Sequence, residues 1–110
     1  PPKLSAAVRK EADEAYQAGQ KAFAEGDLGN AIMHWEQVNR LAPNFRSVTD
    51  YLVKAYKLTG IDLYGKNRLS EAIGYWQKAL DLAPTSGEIA SYIARTRGEM
   101  ARLEEAGEND

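Results

Sequence analysis

Cysteine is absent from the 110 residues. This excludes disulfides, thiolate zinc sites and cysteine nucleophiles, and it leaves the compartment unknown, because a reducing cytosol and a periplasm accept a cysteine-free chain equally well. Histidine occurs once, as His34, so any Ser-His-Asp arrangement or metal site built on paired histidines would have to use a single ring. Neither sign of charge prevails: 14 Lys+Arg stand against 16 Asp+Glu, a net charge of −2, which supplies no field to hold nucleic acid or an anionic membrane. No apolar run approaches the roughly 18 residues of a membrane span, and no charged-then-apolar signal peptide opens the chain. It opens on Pro1-Pro2 with no initiator Met, from which we expect a piece of a longer protein. Gly-rich phosphate loops, nucleophile elbows and metal-spaced His/Glu motifs are missing, so no enzyme, metal or cofactor is expected. Glu104, Glu105, Glu108 and Asp110 gather acid at the end of the chain, but with no apolar pocket around them they read as a frayed polar tail.

What is present is a repeat. Pro2, Pro43 and Pro84 lie at a constant interval of 41 residues, and the same interval pairs Gly19 with Gly60, Leu28 with Leu69, Ala31 with Ala72, Ile32 with Ile73, Leu41 with Leu82 and Ala42 with Ala83. The only two tryptophans, Trp35 and Trp76, fall in register inside an Ala-Ile-x-x-Trp string. A fixed interval of this size is the signature of stacked supersecondary units. The units run 2–42 and 43–83, with a truncated third copy from 84 onward.

Within each unit the apolar spacing is helical. Leu28, Ala31, Ile32, Trp35 and Val38, then Leu69, Ala72, Ile73, Trp76, Ala79 and Leu80, each form one stripe of a short helix. A longer helix precedes each, carrying Leu4, Val8, Ala12, Ala15, Ala18 and Ala22 in the first unit and Val48, Leu52, Ala55 or Tyr56, Thr59 and Leu63 in the second. Glu25-Gly26-Asp27 and Gly65-Lys66-Asn67 break the pattern with residues that turn at low cost and tolerate positive φ, so each unit is a helical hairpin. The prolines separate the units, and Ser47 with Asp50 and Thr85 with Glu88 carry the hydroxyl-to-acid spacing of a helix start. A final helix is expected from about Thr85 to Glu105. No β-alternation competes.

These residues resemble the tetratricopeptide repeat family. Gly19 and Gly60 match its small residue on the first helix, Ala31 and Ala72 its close-packing alanine on the second, Trp35 and Trp76 its aromatic, and Pro43 and Pro84 its terminal proline, over about residues 12–86. The period departs from the family's 34 by seven residues, two extra turns of the first helix, and lies near the roughly 40 of HEAT-type helical repeats. The resemblance implies an all-α, right-handed helical-hairpin solenoid: two hairpins plus a C-terminal capping helix over 84–106, in a single domain of residues 1–110 with an acidic tail at 107–110. It also implies a non-catalytic scaffold whose long helices line a concave groove for a peptide segment or partner protein.

On that reading the groove face holds Tyr16, Gln20 and Phe23 in the first unit, Lys54, Lys57, Ile61 and Tyr64 in the second, and Arg95 in the third copy, with Asp81 and Glu88 off it. Cations beside aromatics suit a partner with apolar and acidic side chains. Gln20 and Ile61 stand where the family's chaperone-clamping members use Asn. The alternative assignment of these side chains is packing, with Asp13 neutralising Lys54 and the aromatics wedged between helices. An alternative function is self-association into a homo-oligomer through the open ends of the stack, using a stripe of Ile89, Ile93, Met100 and Leu103. RNA binding is disfavoured by the acidity and by the lack of a repeated basic code, and no membrane contact is expected within this fragment.

Overall fold

The computed structural model describes residues 3–109. Pro1, Pro2 and Asp110 lie outside the described residues, so the repeat register at Pro2 and the last acid of the tail have no structural counterpart. The described chain is all-α, with five helices: α1 (Ala6–Ala24), α2 (Leu28–Leu41), α3 (Val48–Gly65), α4 (Leu69–Leu82) and α5 (Gly87–Asn109). No helix among the described residues is long and apolar enough to cross a membrane.

The breaks fall where the turn residues stand. Gly26 and Asn67, 41 residues apart, take the same left-handed backbone, with φ of 79° and 60°. Gly does so without steric cost, and Asn is among the residues that tolerate it best. Ser5 opens α1 by accepting from the Val8 amide at 3.1 Å, and Asp27 opens α2 by accepting from the Asn30 amide at 3.1 Å. The start of α5 lies one residue later than the hydroxyl-to-acid spacing placed it: Ser86, not Thr85, accepts from the Ile89 amide at 3.3 Å. Its end lies later too. Ala101 to Ala106 is an unbroken run of strong helix formers, and one Gly107 costs only about 1 kcal/mol, so the helix continues to Asn109.

The described residues divide between Ala55 and Tyr56 into two compact units, each with its own core. In the first, α2 folds back along α1, burying Ala31, Ile32, Trp35 and Val38 against Ala12, Ala15 and Ala22. Trp35 is fully buried, and its indole Nε1 donates to the Tyr16 carbonyl at 3.2 Å. A Cβ built on Gly19 would collide with that indole. The glycine is therefore the bare patch of α1 that lets the ring reach the backbone. The second unit repeats the device: Trp76, 3% exposed, donates Nε1 to the Lys57 carbonyl at 3.1 Å, and a Cβ on Gly60 would collide with it. Here α5 packs on α4, and Ile89, Ile93 and Thr96 are buried with Ala72 and Ala79.

Candidate functional site

Each unit sets a second aromatic ring on either side of its tryptophan. In the first, Phe23 from the end of α1 lies 5.6 Å from the Trp35 ring, and Tyr51 from the start of α3 stacks on it at 5.0 Å with planes 17° apart. In the second, Tyr64 near the end of α3 lies 6.1 Å from Trp76, and Tyr92 of α5 lies 5.3 Å from it at 46°. A cation follows the second ring by three residues in each case. Lys54 Nζ sits 5.5 Å from the Phe23 ring centroid, and the Arg95 guanidinium 5.8 Å from that of Tyr92. Centroid distances of this size place both cations within the range of ring-face attraction.

In the second unit this cluster opens into a cleft of about 320 Å³, with Trp76 as floor, Ile61, Tyr64 and Tyr92 as walls, and Arg95, Thr96 and Glu99 completing the lining. The walls are apolar surface held in contact with water: Ile61 is 43% and Tyr64 39% exposed. The Tyr64 hydroxyl donates to the Glu99 carboxylate, whose two oxygens stand 2.8 and 2.9 Å away. That bond holds the phenol above the ordinary tyrosine range, because ionising it would set two anions face to face. The cleft thus combines apolar walls with a few polar groups at its margin, the make-up of a small binding pocket.

The residues expected on one groove face take several positions. Ile61, Tyr64 and Arg95 come together in the cleft, Phe23 is half-buried beneath Lys54, and Gln20 is exposed on α1. Tyr16 departs from the exposed position expected of it. It is 8% exposed, because Phe45 and Tyr51 approach its ring at 6.1 and 5.9 Å. Lys57, expected as a free cation, is half-buried and paired with Glu88 at 3.1 Å. Asp13 does not neutralise Lys54. Its partner is Arg46, at 3.0 Å, with Gln17 donating to its other oxygen at 2.9 Å.

Four lining residues of the cleft were outside the expected set: Trp76, Tyr92, Thr96 and Glu99. Tyr92 was within reach of the sequence, since Tyr51-Leu-Val-Lys54 and Tyr92-Ile-Ala-Arg95 are one string at the 41-residue interval. Glu99 was not, because its counterpart one interval earlier is Leu58.

No protein-family model matches this chain, and no curated protein is significantly similar to it.

Proposed function

We propose that this chain is a non-catalytic protein–protein interaction module of the tetratricopeptide-like helical-hairpin kind, taking a peptide segment of a partner protein into the cleft of its second unit. The observation that supports the reading is the cleft itself: Ile61 and Tyr64 stand exposed over the Trp76 floor, next to the Arg95 cation. The floor is held by the Trp76 bond to the Lys57 carbonyl and by contact with Gly60, so the protein side loses little freedom when a side chain enters. Selection from a displayed peptide library tests this. Selected peptides are expected to lose binding to Ile61→Asp and Arg95→Glu variants, while the helical spectrum and melting temperature stay near wild type, since such surface changes fall within about 0.5 kcal/mol. Selected peptides that bind both variants as well as wild type would overturn the assignment to this cleft.

Self-association remains the second reading, and one observation favours it: Leu103 on α5 is 60% exposed. The stripe is shorter than expected, since Ile89 and Ile93 are buried inside their own unit and only half-buried Met100 accompanies Leu103. Sedimentation at rising concentration separates the readings, with a constant monomer for the cleft and a growing dimer for the stripe.

A further inference from the structure

Side-chain ion pairs join Arg46 with Asp13, Lys57 with Glu88, Lys66 with Asp62 and Arg68 with Glu71. Arg95 is in none of them, although Glu99 stands four residues further along the same helix. That is the spacing at which Arg and Glu ordinarily meet across one turn. The geometry accounts for the missing pair. Both Glu99 oxygens are turned to the Tyr64 hydroxyl, at 2.8 and 2.9 Å, while the Arg95 guanidinium rests 5.8 Å from the Tyr92 ring centroid.

One interval earlier in the sequence the hydroxyl and the carboxylate are both missing. Stepping back 41 residues turns Arg95 into Lys54, Tyr64 into Phe23 and Glu99 into Leu58. The cation is kept in both copies, and Lys54 also makes no ion pair among the described residues. The carboxylate and the hydroxyl are present together in one copy and absent together in the other. A carboxylate at position 99 without the hydroxyl would be free to close on Arg95 and cancel it.

We infer that Tyr64 is a positioning residue whose hydroxyl holds Glu99 off Arg95, keeping the guanidinium for a carboxylate carried by an acidic, apolar peptide seated in the cleft. This rests on the peptide-binding reading above and names the chemistry of the peptide. Charge complementarity selects the occupant: Glu99 and Arg95 are the two ionised groups of the lining, and the anion is hydrogen-bonded to Tyr64 while the cation rests on the Tyr92 ring with no carboxylate partner among the described residues. A guanidinium takes a carboxylate through two parallel N–H groups, and an apolar neighbour on the same peptide would cover Ile61 and the Tyr92 ring.

The test uses the whole chain, labelled with nitrogen-15, and three capped pentapeptides: alternating Leu and Asp, the same with Asn, and the same with Lys. The Trp76 indole and the Arg95 and Thr96 amides report occupancy. The Asp peptide is expected to shift these signals, with the Asn and Lys peptides about tenfold weaker or more, as loss of a charged hydrogen-bonded pair implies. Tyr64→Phe is expected to weaken the Asp peptide about threefold by freeing Glu99 to pair with Arg95, and Tyr64→Phe with Glu99→Gln to restore it, the scale being that of an exposed ion pair. Arg95→Gln should abolish the preference for Asp over Asn. If Tyr64→Phe binds the Asp peptide as wild type does, if the double variant stays as weak as the single one, or if the Asn or Lys peptide binds as tightly, the inference is wrong while peptide binding stands. If none of the three peptides moves any cleft signal, the peptide-binding reading and the inference fall together.

Discussion

Replacing Gly60 by Ala sets two effects of known size against each other. A glycine inside a helix costs up to about 1 kcal/mol relative to alanine, so propensity alone predicts a gain in stability. Against it stands the Trp76 indole: an added Cβ would lie 2.7 Å from Cε2 and closer still to Nε1. Either the ring shifts or the helix does, and overpacking of this kind costs about 1–3 kcal/mol. A displaced ring also loses its bond to the Lys57 carbonyl, and a buried donor left without a partner costs about 1–3 kcal/mol more. The net expectation is a loss of about 2–4 kcal/mol, a large share of the roughly 5–15 kcal/mol that holds a small protein together. Gly19→Ala should behave alike, since the same collision awaits it with Trp35. Gly74, exposed on α4 with nothing near its Cβ position, is the control: Gly74→Ala should gain about 0.5–1 kcal/mol. Urea denaturation followed by circular dichroism and tryptophan fluorescence measures all three. A Gly60→Ala protein as stable as wild type, with Gly74→Ala raised by a similar amount, would show that propensity decides and that the glycines do not serve the tryptophans.

Trp35→Ala should cost about 3–5 kcal/mol, the scale for truncating a large buried aromatic, and leave the chain largely unfolded by the same urea assay. Arg68, which opens α4 without a side-chain cap where the first unit has Asp27, is a site for improvement. Arg68→Ser would form a capping box with Glu71 and should raise the melting temperature by a few degrees, despite loss of the Arg68–Glu71 pair. Asp27 is held below the ordinary carboxylate range, first by the Asn30 amide and then by the Asn30 side chain. Its folded value lies below its unfolded one, so its contribution is complete above the ordinary carboxylate range and is lost as pH falls through the folded value. Asp27→Asn, which caps without titrating, should flatten that part of the acid denaturation curve while leaving neutral stability nearly unchanged.

The hairpins were legible because the features that build them recur. The turn at Gly26 and Asn67, the stripe through Trp35 and Trp76, and the glycines that face those rings all return at the 41-residue interval. Face assignment on the long helices was less secure, and Tyr16 shows why. It shares a helical stripe with Gln20 and Phe23, but Phe45, in the segment between α2 and α3, folds over it. A residue in an irregular segment obeys no period, so periodicity cannot say which exposed stripe it will cover. Lys57 and Glu88 are hidden for a related reason: they meet across 31 positions, a spacing that is neither a helical turn nor a repeat.

The candidate site lies where the two copies stop agreeing. A search for self-similarity finds what every unit needs in order to fold, namely small residues, an indole, a turn and a proline. It passes over Tyr64 and Glu99 because Phe23 and Leu58 do not match them. Yet the differences between Phe23 and Tyr64 and between Leu58 and Glu99 are the ones that set a hydroxyl and a carboxylate 2.8 Å apart beside the Trp76 ring cluster. The hydroxyl alone would be left to solvent, and the carboxylate alone would be free to pair with the arginine one turn away. Together they satisfy each other and leave the cation as it stands in the first unit. In a repeat protein the residues in register therefore specify the scaffold, and paired departures from register that meet in space, as Tyr64 and Glu99 do, are what make one copy chemically different from the other.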